Sequence, residues 1–363
     1  YFGDISNDTT NWILITERVL FSDRAGQNYG KPKPRKGPMQ PFNIEGPYDK
    51  CLDYNLRGDP KEYYLLLVRT GAKMAGMYKA GKMGDYGLLQ ASFASMENRK
   101  MESWGMAFGG NSGEDPRMLR NKVDAGIALI SDTAKVVFPS YCTDETWLER
   151  LKSMIAMMNA YTNEINCWKH VSPDYIALAH VNMNVDNAYF WRDKKGRLSC
   201  GVIDWAGLGS MCLGHKLWWW LYCQDFEVMQ ENLDSYLEAF VETYQENGGP
   251  PLEAKRLKTQ YVLTAFQQLI QLFAAVGQIF KMCPKKEWAT IEDRYDERIN
   301  TNVDGKSSLR QYLFCINNII RLAEEMGGFE TLDRWVTDHW GGEFKMPPKT
   351  QEMINAPPPG TRL

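Results

Sequence analysis

The sequence has no strong excess of charge of either sign. Its 363 residues include 42 Lys and Arg against 45 Asp and Glu, which gives a formal net charge of -3. Binding of nucleic acid, or of an anionic membrane surface, depends on a positive field, so this balance argues against both kinds of partner. The hydrophobic fraction of 44% is enough to bury a sizeable core, which excludes disorder as the main state.

Cysteine is too sparse and too irregularly spaced for a disulfide scaffold or a zinc site. The chain has 8 Cys, and no two of them form a C-x-x-C pair. Disulfide-dense domains and structural zinc sites both need closer and more regular spacing than this. The composition therefore predicts reduced thiols and a cytoplasmic location.

Long uninterrupted apolar runs are missing as well. The two longest apolar stretches, 211–223 and 263–282, are interrupted by His215 and Lys216 in the first case and by four Gln in the second. Neither predicts a membrane span. The chain begins at Tyr1 and shows no signal-peptide pattern, so we expect its natural N-terminus to lie upstream.

Composition divides the chain into four segments. Residues 1–5 and 12–19 are rich in β-branched and aromatic residues around a turn-like stretch, which predicts a hairpin. Residues 22–46 are rich in Gly, Pro and basic residues and predict a connector. Helical periodicity dominates 47–345, whereas the Pro-rich stretch 346–363 predicts an extended tail.

Within the third segment, apolar spacing and capping residues predict six helices and one strand pair. The helices are expected from Pro60 to about Gly81, after Thr143, and over 233–244, 252–281, 307–326 and 329–339. The strands are expected at 187–192 and 198–203, joined by a turn at 193–196. The predicted fold class is therefore α+β, with helices in the majority.

Residues 180–205 read HVNMNVDNAYFWRDKKGRLSCGVIDW and combine a loop with a tight hairpin. His180 and Asn187 belong to the loop, and Asp204 follows the second strand. A loop amide oxygen and a carboxylate at a strand end can converge on one Mg²⁺, which prefers hard oxygen ligands and keeps positions for water and phosphate. By residue type alone Asn187 and Asp204 are commoner as turn caps, but their joint occurrence around the hairpin favours a metal site.

This segment resembles the aminoglycoside phosphotransferase and choline kinase family, which has the protein-kinase-like fold. In that family a loop of the form H-x-D-x-x-x-x-N precedes a hairpin and a strand that ends in I-D-W or I-D-F. The resemblance implies a structural role for His180 and ligation of Mg²⁺ by Asn187 and Asp204. Asn182 stands where the family has its catalytic Asp.

The resemblance also assigns the remaining segments. It implies that residues 1–21 are a remnant of the small β lobe, with the hinge backbone of Glu17, Arg18 and Val19 against the adenine of ATP, and that 47–345 form the large helical lobe. Mg²⁺ and ATP are the implied cofactors. No part of the chain replaces the family's glycine-rich loop, its phosphate-binding Lys or the Glu partner of that Lys. We therefore expect these residues to bind Mg-ATP weakly or not at all.

Two functions remain open at this point. The first is an enzyme that transfers the γ-phosphoryl group of ATP to a hydroxyl of a small-molecule acceptor. The second is a catalytically inactive, pseudokinase-like module that binds or assembles with a protein partner. The amide of Asn182 can orient a hydroxyl but cannot take its proton at neutral pH, although the loose transition state of phosphoryl transfer depends more on metal and positioning than on a base.

Overall fold

The computed structural model of the chain describes most of the predicted helical lobe. The described residues are 2–4, 12–14, 27–33, 44–84, 113–205, 208–305 and 307–340, with backbone alone for the first two ranges and for Trp340. Within these ranges the protein is α+β and mostly helical, which confirms the predicted class at that level. The predicted hinge residues 17–19 and the tail 346–363 lie outside the described residues.

Helices account for most of the described residues. In chain order they are α1 Pro60–Lys79, α2 Pro116–Ala128, α3 Glu145–Ala160, α4 Thr162–His170, α5 Leu213–Leu221, α6 Phe226–Glu246, α7 Ala254–Ala274, α8 Val276–Met282, α9 Glu297–Asn300, α10 Leu309–Glu325 and α11 Gly328–Trp340. Short 3₁₀ helices occur at Asp53–Asn55, Lys135–Val137, Ser140–Thr143, Pro173–Tyr175 and Lys285–Thr290, and a π-helical turn at Leu129–Thr133.

The strands form four separate antiparallel pairs. They are β1 Phe2–Asp4 with β2 Trp12–Leu14, β3 Ile176–Ala179 with β6 Gly209–Cys212, β4 Ala188–Arg192 with β5 Leu198–Val202, and β7 Val303–Asp304 with β8 Ser307–Ser308. The hairpins predicted near the N-terminus and at 187–203 are confirmed. The β3–β6 pair was not predicted, because its strands are short and about 30 residues apart in the chain.

Aspartate caps explain where several helices begin. The side chain of Asp59 accepts a hydrogen bond from the Lys61 amide at 3.0 Å, and Asp144 accepts from the Trp147 amide at 2.8 Å. Pro60 follows the first cap at the position where a missing N–H costs nothing. These caps satisfy amide donors that the first turn of a helix leaves unpaired, so the predicted starts at Pro60 and after Thr143 are confirmed.

The predicted helix 252–281 is wrong in its continuity. The chain forms α7 and α8 instead, bent by 55° at Ala275. Val276 and Ile279 of α8 are buried beyond the bend, so the apolar pattern continues across a break that periodicity cannot detect. No single described helix is long and apolar enough to cross a bilayer, and the bent pair α7–α8 reaches that length and composition only when both helices are counted together.

Described parts of the predicted connector 22–46 lie against the lobe. The amide of Asn28 donates to Asn55 Oδ1 at 2.9 Å. Glu45 pairs with Phe190 of β4 through two backbone hydrogen bonds of 2.8 Å, which extends the β4–β5 hairpin by one bridge. The segment before α1 therefore helps to hold the hairpin that carries the candidate site.

Gly71 allows α1 to pack closely against Trp220 of α5 and Met183 of the loop. A Cβ atom built there would lie 2.2 Å from the ring of Trp220 on α5 and 2.7 Å from Met183 Cε, so any side chain displaces a packed aromatic ring. Gly71→Ala should lower the free energy of unfolding by about 1–3 kcal/mol. The matched control is Gly277→Ala in α8, where a built Cβ atom has no neighbour within 4 Å. Alanine there should raise the free energy of unfolding by about 0.5–1 kcal/mol. Urea denaturation measures both, and a Gly71→Ala protein as stable as the parent would contradict this account of the core.

Candidate functional site

Two strand ends bring the motif residues together. Strand β3 ends at Ala179, immediately before His180, while the β4–β5 hairpin begins after Asn187 and ends before Asp204. The amide of Ile203 donates to the carbonyl of Asn187 at 2.9 Å, which closes the base of the hairpin. The loop and the end of the second strand are therefore adjacent, as the motif spacing predicts.

The His180 ring joins these two segments through backbone atoms. Its Nε2 lies 3.0 Å from the carbonyl of Ile203 and 2.8 Å from that of Asp204, and its Nδ1 accepts the Asn182 amide at 3.1 Å. Two carbonyls and one amide fix the tautomer with the proton on Nε2. Burial lowers the pKa of His180, so the ring is neutral at pH 7 and above. His180 is therefore a structural clamp, in agreement with the role that the resemblance implies.

The side chain of Asn182 is held inside the loop. Its Oδ1 accepts the Asn184 amide at 2.6 Å, and the same Asn184 nitrogen donates to the Trp219 carbonyl of α5 at 2.6 Å. The Asn182 carbonyl in turn accepts from Asn187 Nδ2 at 2.8 Å. Because Oδ1 is the accepting atom, Nδ2 of Asn182 occupies the position where an aspartate would carry its second oxygen.

Asn187 is buried and Asp204 is exposed, and hydrogen bonds orient both residues. Since Asn187 Nδ2 is committed to the Asn182 carbonyl, the amide oxygen is the atom left for a cation. Asp204 is exposed and has a φ of 61°, and Cys51 is the only other non-glycine residue with a positive φ in the part of the chain that the structure describes. A positive φ is strained for an L residue and persists where the surroundings impose it; here the clamp from His180 holds the Asp204 carbonyl.

This donor set fits Mg²⁺ better than a transition metal. In the described ranges, no group of three or more His, Cys, Asp or Glu side chains is placed to hold a metal ion. Asn187 and Asp204 would supply two hard oxygens, and Mg²⁺ commonly takes its remaining ligands from water and substrate phosphates. The residues present therefore fit the ion that the resemblance implies.

Lys50 is a neighbour of the loop that the sequence analysis missed. Its Nζ lies 3.0 Å from Asp186 Oδ2, with side-chain exposures of 13% and 26%. The Tyr48 amide also donates to the Val185 carbonyl at 3.0 Å. Burial is the largest single influence and lowers the pKa of Lys50, but the opposing influences, led by the carboxylate of Asp186, together exceed it and the pKa is raised. No local pattern links residues 136 positions apart, so the sequence offered no signal for this pair.

The opposite side of the loop rests on α5, whose sequence is rich in tryptophan. The indole of Trp220 donates to the His180 carbonyl at 2.9 Å. Lys216 is fully buried and donates to the carbonyl of Ala179 at 2.6 Å and to that of Gly209. The run from Lys216 to Trp220 thus belongs to the core that supports the site, as predicted, and its lysine bridges β3 and β6.

The nucleotide side of the predicted cleft is described only in part. Glu17, Arg18 and Val19 lie outside the described residues. Lys31, one of the basic residues of the predicted connector, lies 3.0 Å from Asp293. The charge of Lys31 is thus already paired with a carboxylate.

Comparison with known proteins adds no relative. No family model, no curated protein and no solved structure matches this chain. The assignment of the site therefore depends on the residues and contacts described above.

The Lys50–Asp186 ion pair should stabilise the fold measurably. Because both side chains are mostly buried, a double-mutant cycle with Lys50→Met and Asp186→Asn should give a coupling of about 1–2 kcal/mol in urea denaturation. The control cycle is Lys281→Met with Asp304→Asn, whose side chains are 68% and 46% exposed and should couple by less than about 1 kcal/mol. Equal coupling in the two cycles would show that Lys50 does not hold the loop.

Proposed function

We propose that this chain is the helical lobe of a phosphotransferase of the aminoglycoside phosphotransferase and choline kinase type, with the protein-kinase-like fold. The proposed reaction is transfer of the ATP γ-phosphoryl group to a hydroxyl of a small molecule. The observation that supports it best is the clamp from His180, which joins the H-x-N-x-x-x-x-N loop to the backbone of Asp204. If Asn187 and Asp204 were only caps of two separate turns, no side chain would be needed to join the loop to the strand end.

Asn187 and Asp204 are the proposed magnesium ligands. When bound, Mg²⁺ would neutralise charge on the phosphate oxygens. The protein's own contribution is orientation: Asn187 Nδ2 is occupied by the Asn182 carbonyl, so the amide oxygen is presented to the ion. The carboxylate of Asp204 is presented from a strained backbone that the hairpin and His180 fix. Such preorganisation is the main means of catalysing phosphoryl transfer, which asks little covalent chemistry of the protein.

Position 182 offers no side-chain base for the proton of the acceptor hydroxyl, because it is an asparagine. Asn182 can accept a hydrogen bond from that hydroxyl only through Oδ1, which already accepts from Asn184. An amide does not take up a proton at neutral pH, so the proton must pass to water or to the transferred phosphate. Transfer through a loose transition state tolerates this loss, and we expect activity that is weakened rather than abolished.

The same contact favours a second candidate function, a pseudokinase-like module that binds or assembles without catalysis. Asn184 holds Asn182 and the Trp219 carbonyl at once, so the amide at position 182 is part of the scaffold that supports the loop. A loop built around this amide keeps its shape without a base. Measured activity, rather than geometry, separates the two candidates.

Metal binding tests the ligands directly. Paramagnetic Mn²⁺, used in place of Mg²⁺ together with ATP, should bind this chain only weakly, with Kd above about 100 μM, because the sequence shows neither the family's glycine-rich loop nor its phosphate-binding lysine. Asp204→Asn should weaken the binding roughly tenfold or more, since it removes the one anionic ligand. The control Asp234→Asn, whose carboxylate is exposed and paired with Lys258, should leave the affinity unchanged. Equal effects of the two substitutions would remove Asp204 from the site, and micromolar affinity would show a phosphate-binding group that the proposal lacks.

Restoring a carboxylate at position 182 tests the missing base. In the longest natural form of the protein, Asn182→Asp should raise the rate of phosphate transfer from ATP by roughly 10²-fold. One oxygen would keep the hydrogen bond from Asn184, and the other would replace Nδ2. Asn182→Ala is the matched control, because it removes the amide without supplying a base and should give no gain. Phosphate transfer from ATP is measured for the unmodified protein and both variants over a panel of amino alcohols and aminoglycosides. Background rates for all three forms would favour the binding module. A fast unmodified protein would show that the base is dispensable.

A further inference from the structure

A cavity lies on the face of α5 away from the loop, among α3, α4, α5 and α7. Its volume is about 190 Å³, and most of the residues that line it are of polar type. Its polar lining residues include Glu114, Asn166, Lys169, His215, Thr264 and Gln267. Trp219 also lines this cavity, while its carbonyl accepts Asn184 of the loop, so α5 separates the cavity from the candidate phosphotransfer site.

Lys169 places a buried positive charge in the wall of this cavity. The residue is 1% exposed, and its Nζ donates to Thr264 Oγ1 at 2.7 Å and to Gln267 Oε1 at 3.0 Å, with His215 Nδ1 at 3.5 Å. All three partners are neutral. Among the described residues no carboxylate forms an ion pair with Lys169. A buried ammonium without an anion is costly, so the cavity favours a ligand that supplies one.

Glu114 presents an acceptor to the same cavity. Its Oε1 lies 2.5 Å from Lys122 Nζ, so Lys122 balances the negative charge of the Glu114 carboxylate. Its Oε2 is buried and accepts no hydrogen bond from any group in the described ranges. Buried acceptors are normally satisfied by a donor, and Glu114 is one of the residues that line a cavity large enough to admit a small molecule. A ligand that pairs with both Lys169 and Glu114 therefore combines one negative charge with one hydrogen-bond donor.

We propose that this cavity binds a small carboxylate that also carries a hydroxyl or ammonium group, with Lys169 as counterion to the carboxylate and Glu114 as acceptor for the donor group. A single buried cation matches a monoanion, whereas a phosphate dianion would bring a second negative charge without a partner. Water alone satisfies Glu114 but leaves the charge of Lys169 uncompensated. The amides of Asn166 and Gln267, which hydrogen-bond to each other at 2.9 Å, hold the wall between the α4 and α7 sides in place.

The affinity should depend on pH through Lys169. The other titratable groups around it are Glu114, His170, Cys212, His215 and Lys216. Burial lowers the pKa of His170 to about 3 and that of His215 below its ordinary value, while it raises the pKa of Cys212, so these three stay neutral between pH 7 and 9. Burial also lowers the pKa of Lys169 to about 8. The carboxylate needs the ammonium form, so its affinity should be about tenfold weaker at pH 9 than at pH 7.

Calorimetry on the full chain, without nucleotide or metal, tests this proposal independently of phosphotransfer. The probes are lactate and L-serine, with acetate and inorganic phosphate as comparators. Lactate or serine should bind at pH 7 with Kd below about 1 mM, more tightly than acetate or phosphate. No saturable heat with either probe, or tighter binding of phosphate, would overturn the proposal.

Three substitutions identify the contacts. Lys169→Met should weaken binding of lactate or serine by about 30-fold or more, because it removes the counterion from a buried site. Glu114→Gln should abolish the preference over acetate while acetate itself still binds. The control Lys152→Met, at an exposed lysine paired with Glu149, should change nothing. Near-ultraviolet circular dichroism checks that each variant is folded. Unchanged affinity in Lys169→Met, or an affinity of the unmodified chain that does not vary between pH 7 and 9, would contradict the assigned role of Lys169.

Discussion

The contact on which the candidate site depends is the neutral imidazole of His180 between two backbone segments. One nitrogen donates to the carbonyls of Ile203 and Asp204, and the other accepts the amide of Asn182. The hydrogen bonds of the ring all go to backbone atoms and fix the path of the loop and of the strand end. The ring also packs edge-on against the Trp205 side chain, with 5.2 Å between the ring centroids. Protonation would place a second N–H against the Asn182 amide, and burial opposes this by lowering the pKa of His180.

Two buried lysines, Lys216 and Lys169, find different partners for their side-chain nitrogens. Lys216 directs its ammonium group at the carbonyls of Ala179 and Gly209, at the adjoining ends of β3 and β6, and so completes the sheet pair that carries His180. Lys169 faces a cavity and meets only neutral side chains. Backbone carbonyls satisfy the first lysine as part of the fold, whereas the second remains a charge that a ligand can compensate. Burial alone therefore does not distinguish a structural lysine from a binding one.

Local signals predicted the elements that depend on neighbouring residues. The cap of Asp59, the hairpin around residues 193–196 and the apolar spacing in α6 are each encoded within a few positions, and the structure confirms them. Sequence reasoning missed the β3–β6 pair, the ion pair of Lys50 with Asp186 and the cavity at Lys169, because each depends on contacts between distant segments. The motif spacing indicated that Asn187 and Asp204 meet at one hairpin base, but it could not show which atom of Asn187 is left for a ligand.

The central claim is that Asn187 and Asp204 form the protein side of one metal site. A crystal structure of the chain with Mn²⁺ and a non-hydrolysable ATP analogue, with anomalous diffraction data, tests it most directly. The account predicts one anomalous peak at about 2.1 Å, the usual distance for Mg²⁺, from both Asn187 Oδ1 and a carboxylate oxygen of Asp204. A peak bound elsewhere, or a fully occupied nucleotide complex in which these two side chains do not share an ion, would contradict it.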